Sequence, residues 1–307
     1  MRWRMLAPRY WPTWLGLGLL RLLALLPFPV MLAIGRALGA LLRHLPTGFV
    51  AIARRNIELC FPQLDRQARE RLLREHFASL GVALLEIPLA WWSPPKRFAR
   101  LVTIEGREHL EAAIARGRGV ILLTAHFTTM EVAGRALASL TRVGFLYRPT
   151  KNAALAYALE HFRNAYGGRG IPRDDIRAFV SALRNNECVW YAPDQSYRKK
   201  GAQMVPLFGI PAATNTLTPR FARMTGAPVL PYFLQRLPGT RGYRAVIHPA
   251  FDRFPSDDPV ADTERYHHMI EAQVRLVPEQ YLWIHRRFKG LSPDYPDYYG
   301  RQAPRLP

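Results

Sequence analysis

The chain has 307 residues, enough for one large domain or two small ones, and 49% of them are hydrophobic, which excludes disorder as its main state. It carries 43 Lys and Arg against 23 Asp and Glu, a formal net charge of +20, so an anionic partner is expected: nucleic acid, anionic lipid or an acidic protein. Two cysteines, Cys60 and Cys188, exclude a disulfide scaffold and a Cys-rich zinc module.

Residues 1–46 stand apart. Arg2, Arg4 and Arg9 precede an apolar run over 15–42, which is interrupted by Arg21, Pro27, Pro29 and Arg36. Its longest charge-free stretch, 22–35, is 14 residues, short of the roughly 20 that a spanning helix needs. Three readings are open: a helix lying in the membrane surface, a tilted span in which Arg21 snorkels, and a cleaved leader ending near the small residues 37–40. Arginine on both sides of the run favours a segment that stays on one face of a bilayer.

Residues 47–100 read as helical, over 49–59 and then 65–91, with Asp65 as N-cap. Trp91, Trp92, Pro94 and Pro95 close this region; the Trp pair suits a membrane interface or a buried corner. From 101 to 307 strands and helices alternate. Strands are expected at 102–105, 119–124, 143–147, 188–192, 228–235 and 243–248. Helices are expected at 108–116, 127–140, 152–166, 174–184, 214–225 and 262–277, with a turn at Gly167-Gly168. The run GVILLT at 119–124 is continuously apolar, as in a strand buried on both faces. The alternation predicts an α/β domain over 101–307, its sheet flanked by helices.

That buried strand delivers His126 to its carboxyl end, where a helix begins, and open α/β sheets bind ligands at such ends. Glu131 follows in HFTTME. On one straight helix, five residues would set the two side chains about 140° apart. They meet only if His126 lies in the turn and Glu131 one turn inside the helix. A carboxylate on one imidazole nitrogen fixes the tautomer and leaves the other free to take a proton. The helix N-terminus adds backbone donors where negative charge develops. The same residues also suit a satisfied buried histidine beside a solvated glutamate. No third ligand accompanies them, so no metal is expected. His267 and His268, adjacent on a helix, read as surface. There is no Gly-x-Ser-x-Gly elbow, Walker A sequence or dinucleotide fingerprint.

In this context the chain resembles the late lipid A acyltransferases, the lauroyl and myristoyl transferases of Gram-negative bacteria. It is more distantly similar to the glycerolipid acyltransferases, whose signature is His-x4-Asp. The resembling blocks are HFTTME (126–131), YRPTKN (147–152), APDQSYRKKGAQMVPLFGIPAATNT (192–216), TGAPVLPYF (225–233) and YLWIHRRFKG (281–290). The resemblance implies a glycerolipid-acyltransferase-like sheet flanked by helices, with an apolar N-terminal helix associating with the membrane. It implies O-acyl transfer from an acyl carrier protein thioester to a hydroxyl of a lipid A precursor at the cytoplasmic face of the inner membrane, with no cofactor. His126 would be the general base and Glu131 would orient it and stabilise its charged form. Arg148 would stabilise an oxyanion or grip a phosphate, unless it is one more surface arginine. Asp194 and Gln195, after another strand end, would line the same cleft and contact substrate, unless Asp194 only closes a turn. Lys199 and Lys200 read as solvated charges, and His285-Arg286-Arg287 as the family's tail or an exposed basic helix. Two other functions compete. One is acylation of another glycolipid, such as a mannosylated phosphatidylinositol or an ornithine lipid. The other is binding of nucleic acid, which explains the charge but not the apolar N-terminus.

Overall fold

The structure, a computed structural model, describes residues 3–300, with side chains from Met5 onward; Arg2, the Arg4 side chain and residues 301–307 lie outside it. Nine strands form: β1 (Val102–Glu105), β2 (Val120–Leu123), β3 (Val143–Tyr147), β4 (Gly168–Pro172), β5 (Cys188–Tyr191), β6 (Ala202–Leu207), β7 (Ile210–Asn215), β8 (Val229–Arg236) and β9 (Tyr243–Ile247). Seven make one sheet in the order β1-β9-β8-β2-β5-β3-β4, parallel throughout except between β8 and β9. β2 sits at its centre, and its four residues are fully buried, as its apolar run requires. One apolar cluster lies on each face of the sheet: Ile121 and Leu123 point into one, Val120 and Leu122 into the other.

Among the described residues eleven helices surround it: α1 (Trp11–Leu23), α2 (Phe28–Leu42), α3 (Phe49–Cys60), α4 (Arg66–Trp92), α5 (Pro95–Ala99), α6 (Arg107–Ile114), α7 (Met130–Ala138), α8 (Ala153–Ala165), α9 (Ile176–Arg184), α10 (Leu217–Thr225) and α11 (Pro259–Leu276). Asp65 caps α4 as expected, accepting from the Ala68 N–H at 2.6 Å. The molecule is therefore a mixed α/β fold with a largely parallel sheet between helices.

Four features depart from the sequence expectation. The apolar N-terminal segment is two helices, because Pro27 interrupts the run, and among the described residues no helix is long and apolar enough to cross a membrane. α2 belongs to the packed body: Phe28 and Met31 are buried, and Gly35 and Gly39 lie against α4, where a Cβ on Gly39 would collide with the Phe77 carbonyl. β4 occupies the place of the expected turn, and Gly168 in it leaves room for the Phe145 ring. β6 and β7 pair as a hairpin through Phe208-Gly209, both at positive φ, a type I′ geometry that usually announces itself as Asn-Gly. Here the Phe208 N–H donates to Glu271 at 2.6 Å and its ring lies under the Arg275 guanidinium, so tertiary contacts hold a conformation that the residue disfavours. The β6–β7 hairpin also buries His267: its Nδ1 donates to the Pro206 carbonyl at 2.6 Å, and it is not on the surface.

Candidate active site

β2 and β5 run parallel with Leu123 opposite Tyr191. The chain leaves both strands side by side, and the third residue beyond each, His126 and Asp194, arrives at one place. Asp194 Oδ1 lies 2.6 Å from His126 Nδ1, and Asp194 Oδ2 accepts from the His126 backbone N–H at 3.0 Å. Tyr281 donates its hydroxyl to the same Oδ2 at 3.0 Å. With Nδ1–H donated to a carboxylate, Nε2 keeps the lone pair. The turn is pinned from the other side: Leu282 N–H donates to the His126 carbonyl at 2.9 Å, and Phe127 bridges to Tyr281. The His126 side chain is 28% exposed and that of Asp194 2%, so the imidazole is accessible and the carboxylate is sealed behind it. Burial alone would lower the His126 pKa, but the Asp194 charge and hydrogen bond outweigh it and raise the pKa above the ordinary imidazole value. Burial likewise opposes ionised Asp194, yet the His126 charge and hydrogen bonds hold its carboxyl well below the usual carboxylate range.

A cleft of about 510 Å³ adjoins His126. Glu131, Arg148 and Gln195 line it with His126, whereas Asp194 borders a separate cavity of about 10 Å³. The structure thus brings four of the five expected residues to one cleft and places the fifth behind the imidazole. The carboxylate in contact with His126 is that of Asp194 and not that of Glu131. Among the described residues no hydrogen bond joins Glu131 to His126. Glu131, in the first turn of α7, accepts from Trp91 Nε1 at 2.9 Å and lies 3.6 Å from Arg163 Nη2. The reason is the delayed start of α7 at Met130: Phe127 and Thr128 are tied to the 280–281 backbone, which leaves the imidazole against β5 instead of against α7. Asp194, expected to touch substrate, is hydrogen-bonded to the histidine through both oxygens.

Arg148 is exposed at the cleft's rim together with Arg173, Arg198 and Lys199, which come from the loops after β3, β4 and β5. Trp91 is a buried corner, stacked on Phe162 with ring centroids 4.7 Å apart. The expected basic tail is no helix. His285 accepts from the Ser196 N–H through Nε2 at 3.0 Å, and burial pushes its pKa down to about 4, so a neutral ring fixes the loop after Gln195. Arg287 is buried and donates to the Ala213 carbonyl and the Thr214 hydroxyl. Three residues of the site escaped sequence reasoning. Tyr281 opens the last resembling block and was its only signal; Trp91 and Arg163 gave none that assigns them to Glu131.

Known proteins resemble this chain over most of its length. A family model described as bacterial lipid A biosynthesis acyltransferase matches residues 1–290. The chain is 38% identical over 285 residues to the lipid A biosynthesis palmitoleoyltransferase of Escherichia coli (strain K12), covering 92% of this chain and 93% of that one. It is 36% identical over 296 residues to the lipid A biosynthesis lauroyltransferase of the same strain, covering 96% and 97%. Among solved structures, the 1-acyl-sn-glycerophosphate (LPA) acyltransferase PlsC from Thermotoga maritima matches with a TM-score of 0.39 and 18% identity, over 81% of this chain and 97% of that one.

Proposed function

The chain belongs to the bacterial lipid A biosynthesis acyltransferase family and is an acyltransferase, and from that premise we propose that it transfers a fatty acyl chain from an acyl carrier protein thioester to a hydroxyl of a lipid A precursor. One observation carries the chemistry: an accessible imidazole, held in a single tautomer by a buried carboxylate, beside a large cleft.

His126 Nε2 takes the proton of the acceptor hydroxyl as its oxygen attacks the thioester carbonyl. The tetrahedral intermediate collapses with cleavage of the C–S bond, and the imidazolium returns the proton to the departing thiolate. Asp194 stabilises the imidazolium between these steps. Glu131 adds a second carboxylate to the cleft and supports the same positive charge from α7. The rim cations Arg148, Arg173, Arg198 and Lys199 suit the phosphates of the acceptor. Along α1, Trp11, Leu15, Leu19 and Leu22 are all more than half exposed and lie on one face at helical spacing. Asn152, which caps α8 beside the rim, donates to Thr13 of α1 at 2.8 Å. An apolar face next to a cationic rim fits an enzyme seated on the cytoplasmic side of the inner membrane, where its acceptor lies.

The test uses purified protein, a detergent-dispersed lipid A precursor and lauroyl, myristoyl or palmitoleoyl carrier protein, with mass spectrometry of the product. His126→Ala should slow transfer by at least about 10²-fold, and Glu131→Ala by as much or somewhat less. Transfer by His126→Ala at near the unaltered rate would overturn the mechanism.

A further inference from the structure

α4 carries three polar side chains on its buried side: His76, Ser79 and Glu86, the last two aligned two turns apart. Glu86 Oε1 lies 2.7 Å from Arg236 Nε and accepts from the Tyr243 hydroxyl at 2.8 Å. Arg236, the last residue of β8, also donates from Nη1 to the Ser79 hydroxyl at 3.0 Å. The Ser79 hydroxyl is joined in turn to that of Thr128, 2.8 Å away. Thr128 donates its backbone N–H to the Gln280 carbonyl at 2.7 Å. The Gln280 carboxamide then clasps the Arg236 backbone: Oε1 accepts from its N–H at 2.8 Å and Nε2 donates to its carbonyl at 2.9 Å. The path closes on itself, from Arg236 to Ser79, Thr128, Gln280 and back. His76 braces the same segment, its Nδ1 3.2 Å from the Glu279 carbonyl.

We propose that this closed ring positions the base: Ser79, Thr128, Arg236 and Gln280, with Glu86 holding Arg236, set where the His126 imidazole stands. The inference rests on the acyl-transfer function above. Thr128 is two residues from His126. Next to Gln280, Tyr281 donates to Asp194 Oδ2 at 3.0 Å and Leu282 donates to the His126 carbonyl at 2.9 Å. A shift of the ring is thereby passed to both members of the His126–Asp194 pair. None of the ring residues lines the cleft, so they act through His126 and touch neither substrate. Stability alone does not account for the arrangement. The Glu86 side chain is 2% exposed and that of Arg236 11%, and a buried ion pair adds little over apolar residues of the same volume. Directional bonds closed into a ring fix a position, which apolar packing does less sharply. A misplacement of about 1 Å at a reacting group can cost up to about 10²-fold in rate.

The test compares the steady-state kinetics of the unaltered protein with those of Ser79→Ala, Thr128→Val, Thr128→Ser and the double variant Ser79→Ala/Thr128→Val. It uses detergent-dispersed lipid A precursor and whichever of lauroyl, myristoyl and palmitoleoyl carrier protein the unaltered protein prefers. Ser79→Ala and Thr128→Val should each lower kcat by about fivefold or more, with KM for both substrates unchanged within about twofold. Thr128→Ser, which keeps the hydroxyl, should retain most of kcat. The double variant should lose no more than the worse single one, because both remove the same link. If one single variant does not fold, the other decides together with Thr128→Ser. A smaller loss of kcat, a rise in KM with kcat intact, a loss repeated in Thr128→Ser, losses that multiply in the double variant, or failure of both single variants to fold would overturn the inference and leave the function standing. No transfer by the unaltered protein with any of the three donors would overturn the function and this inference with it.

Discussion

Asp194 acts on His126 twice: it fixes which nitrogen carries the proton, and it favours the charged form. The second effect has a kinetic signature. A general base works in its neutral form, and the Asp194 charge raises the His126 pKa above the ordinary imidazole value. Activity should therefore fall on acidification through a pH above that ordinary value, read as the acid limb of kcat/KM. In Asp194→Asn the charge is gone and burial, which lowers the pKa, is left unopposed. The acid limb should move to lower pH while kcat drops by at least about 10²-fold, because an amide can donate to Nδ1 and stabilise the wrong tautomer. An acid limb that stays in place in Asp194→Asn would dissociate this carboxylate from the base. Gln195, one residue on, faces the cleft and is free of that duty.

α1 and α2 share an apolar composition but differ in what they touch. α1 buries no residue of its own length, and its exposed Leu15, Leu19 and Leu22 form a stripe. α2 buries Phe28 and Met31 against the sheet's helical layer, and its Gly35 and Gly39 allow the backbones of α2 and α4 to touch. Removing both helices would uncover α4, so anchoring is better tested on α1 alone. Leu15→Ser, Leu19→Ser and Leu22→Ser combined should leave thermal stability nearly unchanged and release most of the protein from anionic vesicles in a flotation assay. They should slow turnover of vesicle-embedded acceptor far more than that of detergent-dispersed acceptor. High salt should add to the release, because charge contributes to binding at an anionic surface. Undiminished flotation of the triple variant would remove α1 from membrane contact.

Burial lowers the pKa of several histidines: His76 and His285 are pushed down to about 4 and His267 to about 3, against an ordinary 6.5, and His248 is lowered as well. For each the folded pKa lies below the unfolded one, so the unfolded state takes up more protons as pH falls from 6.5 toward 4, and stability falls with it. His126 acts elsewhere: its folded pKa is raised, so its contribution is complete below 6.5 and is lost as pH rises through the folded value. Asp194, with a depressed folded pKa, loses its contribution as pH falls from the ordinary carboxylate value of 3.8 toward its own lower one. The upper part of the window from 6.5 to 4, above the ordinary glutamate value of 4.5, is governed by the histidines. Calorimetry should show Tm falling by about 5 °C or more across it, and a flat Tm would contradict their neutral burial. This acid sensitivity comes from packing around the sheet and is separate from the acid limb of catalysis.

Local pattern determined much of this protein. The continuous apolar run before His126 specified a central strand; the strand–helix alternation specified an α/β sheet; Asp65 marked a helix start where it occurs. His126, Glu131, Arg148 and Gln195 were legible because each follows a strand end or opens the next helix, and parallel sheets gather such ends at one edge. Two things were not legible. The hairpin at Phe208-Gly209 depends on Glu271 and Arg275, more than sixty residues away in sequence, to hold a backbone that local preference disfavours. The choice between Glu131 and Asp194 as partner of His126 depends on strand order: β5, 68 residues downstream, lies beside β2 in a register that carries Asp194 to the imidazole. Residue pattern places a histidine at a strand end, but which carboxylate stands beside it is decided by the neighbour that the sheet brings alongside.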